Sequence, residues 1–160
     1  MVVRRRSGLS SWGFLGAMPD GGHFAYEPDV TQDGGLNYVL RIYDRKGAGT
    51  AIYDDATIMQ DAKWPALGSG RNYPTFLKLE TAALIDDAGN AYVDFVLQTG
   101  GNTTTETYLV AFASDGHKLW GLNLKTWNNG ICHTRQVLSN HRLIVSCSGR
   151  YGRRFLILGE

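Results

Sequence analysis

The chain has 160 residues, a formal net charge of +1 and a hydrophobic fraction of 43%. This length suits a single domain with a buried core, so we treat residues 1–160 as one unit. The near-neutral charge argues against nucleic acid as a partner, and no apolar run approaches the ~20 residues that a membrane-spanning helix needs.

The N-terminus is basic. Residues 1–6 include three arginines, and residues 7–18 contain no acid. A targeting segment is one interpretation, since basic residues precede a weakly apolar stretch. The other is a solvated tail that leads into a strand, because serines and glycines interrupt the stretch. The sequence leaves the compartment open and favours an extracellular or periplasmic one.

Strand patterns dominate the rest of the chain. Runs of aromatic and branched residues, bounded by Gly, Asp and Asn, are typical of strands and tight turns. The predicted strands are Phe24–Tyr26, Leu36–Tyr43, Ala51–Tyr53, Ala91–Leu97, Tyr108–Ala113, Lys118–Trp120, Val137–Leu138, Leu143–Val145 and Phe155–Glu160. Asp54–Trp64 fits a short helix or a loop. Residues 63–74 are rich in proline and glycine, which predicts a linker between modules.

One hairpin unit recurs along the chain. Its clearest copy spans Ala83–Leu124. In the fainter copies, Tyr38–Asp44 aligns by residue type with Tyr108–Ser114, so that Tyr38 matches Tyr108, and Phe155–Glu160 is a third copy of this strand. A unit that cannot bury its own face must stack on copies of itself. We therefore predict an all-β chain of about three antiparallel, blade-like sheets. The last copy lacks its outer strand, which predicts an incomplete ring or a fragment, and the strand near Trp12 is a candidate substitute.

The stretch from Tyr108 to Trp120, YLVAFASDGHKLW, carries a nameable pattern. It resembles the blade signature of pyrroloquinoline-quinone-like β-propellers, in which Ala and an acidic or small residue precede a Gly-Lys turn and a docking Trp. Asp87–Val93 resembles the preceding strand of such a blade. Ala113 departs from the usual Asp, and the turn is shortened. The resemblance implies propeller blades, with Trp120 packed against a neighbouring blade. It does not imply a bound quinone, because many such propellers bind no quinone and act only as scaffolds.

Cys132 and Cys147 are the only cysteines. If Ser139–Asn140 forms a two-residue turn, the two thiols face each other on adjacent strands. That register makes them a hydrogen-bonded pair, whose Cα atoms lie farther apart, and a longer turn would separate them. The prediction is therefore two buried thiols, with a disulfide as the alternative.

A metal site is the more specific functional interpretation of the residues around Cys132 and Cys147. His133 and His141 add imidazoles to the two thiols, but the usual zinc-ligand spacings are missing from the sequence. Asp86–Asn90 likewise lacks the ligand spacing of a calcium loop and predicts a turn. We therefore expect no metal and no other cofactor. Asn102–Thr104 matches a glycosylation acceptor in a polar loop, so a glycan is an open alternative there.

A basic and aromatic cluster near the C-terminus is the candidate contact surface. Its members are Arg142, Arg150, Tyr151, Arg153 and Arg154. The cluster could meet an anionic glycan, a phosphate or the surface of a partner. At near-neutral net charge, a solvated hairpin tip is favoured over nucleic-acid binding. We therefore expect a non-catalytic binding or assembly scaffold that engages a protein partner or copies of itself.

Two other functions stay open at this point. The chain could be part of a propeller hydrolase, transferase or quinoprotein, in which His117, His133 and Arg135 would be the first candidates for catalysis. It could also be a carbohydrate-binding module, suggested by Trp64, Tyr73 and Trp127 near predicted loops.

Overall fold

The structure is a computed structural model that describes residues 13–30, 36–64, 75–79, 83–99, 105–124, 131–138, 141–149 and 152–159. Within these ranges the chain forms twelve strands and one short helix, which confirms the predicted all-β class. The strands are β1 (Phe14–Ala17), β2 (His23–Val30), β3 (Leu36–Tyr43), β4 (Gly49–Asp54), β5 (Thr75–Leu79), β6 (Leu84–Ile85), β7 (Ala91–Thr99), β8 (Thr105–Phe112), β9 (Lys118–Asn123), β10 (Ile131–Val137), β11 (Leu143–Gly149) and β12 (Gly152–Leu158). The helix α1 is Asp55–Asp61.

The strands form three antiparallel sheets in chain order. Sheet A has the order β1-β2-β3-β4, and sheet C has the order β10-β11-β12. Sheet B runs β5-β7-β8-β9, with β6 also paired to β7. Because β5 and β6 pair with opposite halves of β7, they share the first position of that sheet. The described strands of the three sheets do not close into a barrel.

The same tight turn joins the first two positions of every sheet. The N–H groups of Met18, Asp86 and Leu138 each donate to the carbonyl four residues later, at 2.8, 3.0 and 2.7 Å. The residue before that carbonyl has a positive φ in each case: 91° at Gly21, 82° at Gly89 and 60° at His141. These residues therefore occupy equivalent positions, from which the strands of the three sheets can be aligned.

A second recurring turn corrects the alignment of the copies. Asp44 N–H donates to the carbonyl of Ala48 at 3.0 Å, as Ala113 N–H does to His117 at 2.8 Å. Asp44 thus corresponds to Ala113, which makes Val39 the equivalent of Tyr108. The pairing of the Tyr38 strand with the Tyr108 strand by residue type was one residue out of register.

Sheet B lies between the other two sheets. Its β7 residues Ala91, Val93, Phe95 and Leu97 are buried in one core with sheet A. Tyr92, between them, belongs to a second core shared with sheet C. Successive strand residues point to opposite faces, so both faces of sheet B are buried. We call the face that turns toward the next sheet along the chain the forward face, and the opposite one the rear face.

Helix α1 fills the gap between sheets A and B. The Asp54 side chain caps its start by accepting from the N–H of Thr57 at 2.8 Å. Ile58 and Met59 are buried in the core between these sheets. At the end of the helix, the Asn123 amide donates to the Ala62 carbonyl at 2.8 Å. The segment Asp54–Trp64 is therefore helical over most of its length.

A disulfide joins Cys132 and Cys147, so the prediction of two free thiols is wrong. The turn before β11 is longer than two residues, but a bulge between Thr134 and Gln136 shifts the register back. The two cysteines are again directly opposite, with Cα atoms 4.0 Å apart. The N–H of Cys132 donates to Thr107 of sheet B at 3.0 Å, as fits the close, non-hydrogen-bonded kind of pair.

Several predictions fall on residues that the structure does not describe. These are the basic tail, Trp12, residues 65–74 of the linker and the Asn102 acceptor. The expected use of the N-terminal strand is wrong where it is described: β1 pairs with β2 as the first strand of sheet A and does not complete the last sheet. Among the described residues, no helix has the length and apolar character to cross a membrane.

Candidate interaction surface

The forward face of sheet C carries exposed apolar side chains at positions that are buried in sheets A and B. Strand pairing places Phe155 of β12 at the position that Leu40 holds in sheet A and Leu109 in sheet B. Leu40 and Leu109 are each 0% exposed, because the next sheet covers them. Phe155 and its neighbour on the same face, Ile157, are 64% and 63% exposed.

The apolar surface continues onto the outer strand of sheet B. Trp120 and Leu122 of β9 pair with core residues of β8 and share their forward direction. They are 38% and 40% exposed, because the described part of sheet C has no fourth strand above them. In sheet A, Tyr53 of β4 holds the position that corresponds to Leu122, and it is buried beneath the ring of Phe112 of sheet B. Trp120 itself contacts the ring of Tyr92 in its own sheet.

Five apolar residues at this end of the stack share the forward direction. They are Ile144, Phe155 and Ile157 of sheet C, and Trp120 and Leu122 of sheet B. We call these five residues the terminal face. Contiguous exposed apolar side chains of this kind mark interaction sites in soluble proteins.

The opposite end of the stack is polar. On the rear face of sheet A, Arg41 Nε lies 3.1 Å from Glu27, and its Nη2 lies 2.8 Å from Asp29. Strand pairing makes Glu27 and Arg41 the equivalents of Phe95 and Val110, which are buried against sheet A. Charged side chains thus replace the apolar pair on the face of sheet A that no described sheet covers.

A row of rings lies on the same rear face. His23 stacks on Tyr43 with ring centroids 4.8 Å apart, and Phe14 lies 5.7 Å from His23. Phe14 is 61% exposed, close to the exposure of Phe155 at the other end. The two ends therefore each present one exposed phenylalanine, but on a polar background at sheet A and an apolar one at sheet C.

Two hydrogen-bonding groups fix sheet C on sheet B. The Asp94 carboxylate, 1% exposed, accepts from the N–H of Thr134 at 2.9 Å and from its hydroxyl at 2.8 Å. Thr107 accepts from Cys132 as described above. These bonds satisfy the N–H groups of Cys132 and Thr134 on the side of β10 away from β11, so the first strand of sheet C is anchored by side chains of sheet B.

The Asp86 carboxylate joins the turns of the same two sheets. It accepts from the N–H of Ala88 and of Asn90, both at 2.9 Å, and from the Tyr92 hydroxyl at 3.0 Å, while His141 Nδ1 lies 3.1 Å away. Burial alone would raise the pKa of Asp86, but the hydrogen bonds outweigh it and hold that pKa below its usual value. The prediction of a turn at residues 86–90 is confirmed.

Comparisons with models of protein families, with curated proteins and with solved structures find no match. The assignment of function therefore depends on the geometry.

The predicted basic and aromatic cluster is described only in part. Arg153 and Arg154 are exposed on β12 and point to opposite faces of sheet C. Arg142 contacts Gly159 at the other end of the same strands. Six residues of β11, about 20 Å, separate it from the partner of Arg153. The structure therefore does not group Arg142 with the other two. Arg150 and Tyr151 lie outside the described residues.

The candidates for catalysis are also apart. His117 lies exposed in the turn between β8 and β9, where Nδ1 is 2.6 Å from Asp115. His133 lies on β10 with Nδ1 3.8 Å from Asp94, beyond hydrogen-bond distance. Cys132, next to His133, donates a hydrogen bond to Thr107 of β8. Thr107 lies five residues, about 17 Å, before the end of β8, where the turn that contains His117 begins. The two histidines are therefore far apart. Arg135 is exposed at the bulge.

Trp64 is not a platform for a sugar. It is 7% exposed, and its indole N–H donates to the buried Glu106 carboxylate at 2.7 Å. Its ring also packs edge-on against Tyr108 in the core between sheets A and B. Tyr73 and Trp127, the other two residues of that hypothesis, lie outside the described ranges. In the described residues, no three metal-ligating side chains come together.

Proposed function

We propose that the chain is a non-catalytic binding scaffold of propeller-type blades that engages a protein partner through the terminal face. One observation carries the proposal. Phe155 and Ile157 occupy positions whose equivalents are buried beneath the next sheet, yet they are exposed by almost two thirds. Burial of a Phe or Ile side chain is worth ~1.5–3 kcal/mol, so covering both would add about 2–4 kcal/mol to an association.

The stacking of the sheets supports the blade assignment. Each forward face meets the rear face of the next sheet, as consecutive blades of a propeller do. The first strands approach one another: β6 contacts β1 on one side and β10 on the other. A Cβ on Gly16 of β1 would lie 2.9 Å from Ile85 of β6, so this approach depends on glycine. The blade-like signature at Tyr108–Trp120 agrees with the same assignment.

The chemistry of the terminal face supports binding over catalysis. Its five side chains are aliphatic or aromatic and have no group that can transfer a proton. Aromatic anchors with aliphatic neighbours are typical of the centre of protein interfaces. The partner is therefore expected to present an apolar surface of its own.

The test compares the assembly of three forms of the full chain in an extract of the cells that produce it. The forms are the natural chain, a Phe155→Ser/Ile157→Ser variant and a Phe14→Ser variant, in which a phenylalanine of similar exposure is removed at the opposite end. We expect the natural chain and Phe14→Ser to migrate in a complex, and the double variant to migrate as a free chain.

Identical migration of all three forms would contradict the proposal. So would turnover of a small substrate by the purified monomer. Far-UV circular dichroism of each variant controls for loss of fold, which is not expected because the replaced side chains are exposed.

A further inference from the structure

We infer that the terminal face packs against the terminal face of a second copy of this chain, related by a two-fold axis. This inference rests on the proposed function, because it names the partner at the same surface. It follows from the difference between the two ends of the stack, which makes one mode of self-association favourable and the other unfavourable.

Continuing the stack head-to-tail would place the terminal face on the rear face of sheet A in another copy. That arrangement would bury the Arg41–Glu27 ion pair beneath Phe155 and Ile157. The side chains at the equivalent positions of sheet B, Val110 and Phe95, are apolar and need no compensation. Removing a charged pair from water against an apolar surface is unfavourable unless new hydrogen bonds replace the lost hydration, and neither Phe155 nor Ile157 has a group that could supply one.

Packing two terminal faces together avoids this cost. Each copy supplies Ile144, Phe155 and Ile157 on a sheet face, with Trp120 beside them, so apolar side chains meet apolar side chains. Two-fold dimers with the same patch on both subunits are the commonest closed assemblies. Such a dimer ends at two copies, because the rear face of sheet A remains outside at both ends.

The charges near the terminal face allow this arrangement. Arg153 lies on the same face as Phe155 and Ile157, three residues before Leu156 on β12. When the two copies of β12 run in opposite directions about an axis near Leu156, the two guanidinium groups lie roughly 20 Å apart. That separation exceeds the Debye length of ~8 Å at physiological ionic strength, so the two arginines do not oppose the dimer.

The small size of the surface is typical of a weak, reversible dimer. β11 and β12 each have seven residues, about 24 Å of strand. Together β11, β12 and the strip above β9 are about 14 Å wide, so the footprint of the face is roughly 340 Å² per copy. The total of about 700 Å² falls short of the ~1,200 Å² that stable interfaces bury. The dimer is therefore expected to dissociate at about 10 µM or higher.

The experiment is sedimentation equilibrium of the purified, oxidised full chain from about 5 to about 500 µM. Natural chain, Phe155→Ser and the matched Phe14→Ser are compared. We expect the natural chain and Phe14→Ser to follow a monomer–dimer equilibrium with the same dissociation constant. In Phe155→Ser that constant should rise by about 10- to 30-fold, as for the loss of a central aromatic anchor.

Three results would overturn the inference. A natural chain that stays monomeric throughout the range excludes a second copy as the partner. Mass that grows beyond the dimer and is reduced by both variants indicates head-to-tail stacking. A dimer that Phe155→Ser leaves unchanged uses another surface. If the purified chain is monomeric but its complex in the extract still depends on Phe155, this inference fails while the proposed function stands.

Discussion

Gly116 provides a direct test of how sheets A and B pack. It lies in the turn between β8 and β9 with φ of 90°, and a Cβ there would lie 2.6 Å from Cγ2 of Ile52 on β4. Gly47 holds the equivalent position in the turn between β3 and β4, with φ of 86° and nothing within 4 Å of an added Cβ. The two glycines thus share their backbone conformation and differ in what surrounds them.

Alanine at either glycine should destabilise the fold, but by different amounts. Both variants place a side chain in a left-handed backbone conformation, which costs about 1–2 kcal/mol. Gly116→Ala also forces its methyl into Ile52, whose β-branched side chain cannot rotate away freely. Overpacking of this kind costs about 1–3 kcal/mol more. The expected loss of unfolding free energy is therefore about 1–2 kcal/mol for Gly47→Ala and about 2–5 kcal/mol for Gly116→Ala.

Urea unfolding followed by far-UV circular dichroism measures both losses. A double-mutant cycle with Ile52→Ala isolates the contact, because removing Cγ2 should recover most of the additional loss in Gly116→Ala and none of the loss in Gly47→Ala. Equal losses in the two glycine variants, or no coupling to Ile52, would refute the packing of the β8–β9 turn on sheet A.

Two further predictions concern sheet C and its link to sheet B. Reduction of the Cys132–Cys147 disulfide, which closes a loop with a sequence separation of 15, should lower stability by about 3 kcal/mol. Thermal melts with and without reductant test this, and a Cys132→Ala/Cys147→Ala chain should be insensitive to reductant. The lowered pKa of Asp86 means that its stabilising contribution is complete above the pKa of an unfolded Asp, ~3.9, and is lost as pH falls through the lower folded-state pKa. Melting temperatures below about pH 5 should therefore fall more steeply for the natural chain than for Asp86→Asn, and parallel curves would contradict the bonding at Asp86.

The strands and turns were predictable because their chemistry is local. Asp44–Gly47 and Ser114–His117 carry the Asp and Gly residues that tight turns require. The strands that flank these turns either alternate apolar and polar residues or are wholly apolar. The sequence does not decide between a helix and a loop after Asp54, because a segment this short is stabilised by its contacts with sheets A and B as much as by its own sequence.

The directions of the side chains were not predictable from the same patterns. Matching the strands by residue type paired Tyr38 with Tyr108, whereas the turns pair Val39 with Tyr108. A shift of one residue exchanges the two faces of a strand. Counting strand positions from the turns would have placed Phe155 with Leu40 and Leu109 on one face, and so marked it as a site. Its exposure depends on what lies beyond sheet C, which no local pattern records.

The disulfide and Trp64 show the same limit at longer range. Cys132 meets Cys147 because a long turn and a bulge offset one another, and the bulge at residue 135 leaves no recognisable signal in the sequence. Trp64 is buried because Glu106, 42 residues away, accepts its indole N–H. Spacing within one hairpin predicts neither.

The position of the disulfide has a consequence for how the stack resists thermal disruption. Sheet B packs against sheet A on one face and against sheet C on the other. Among the described residues, sheet C has one neighbouring sheet. In a linear stack, the unit with fewer neighbours opens first. The chain has two cysteines, and both are in that unit, where they tie β10 to β11. When sheet C lifts away from sheet B, these two strands stay covalently aligned, so the hairpin that displays Ile144 is restored by docking rather than by refolding.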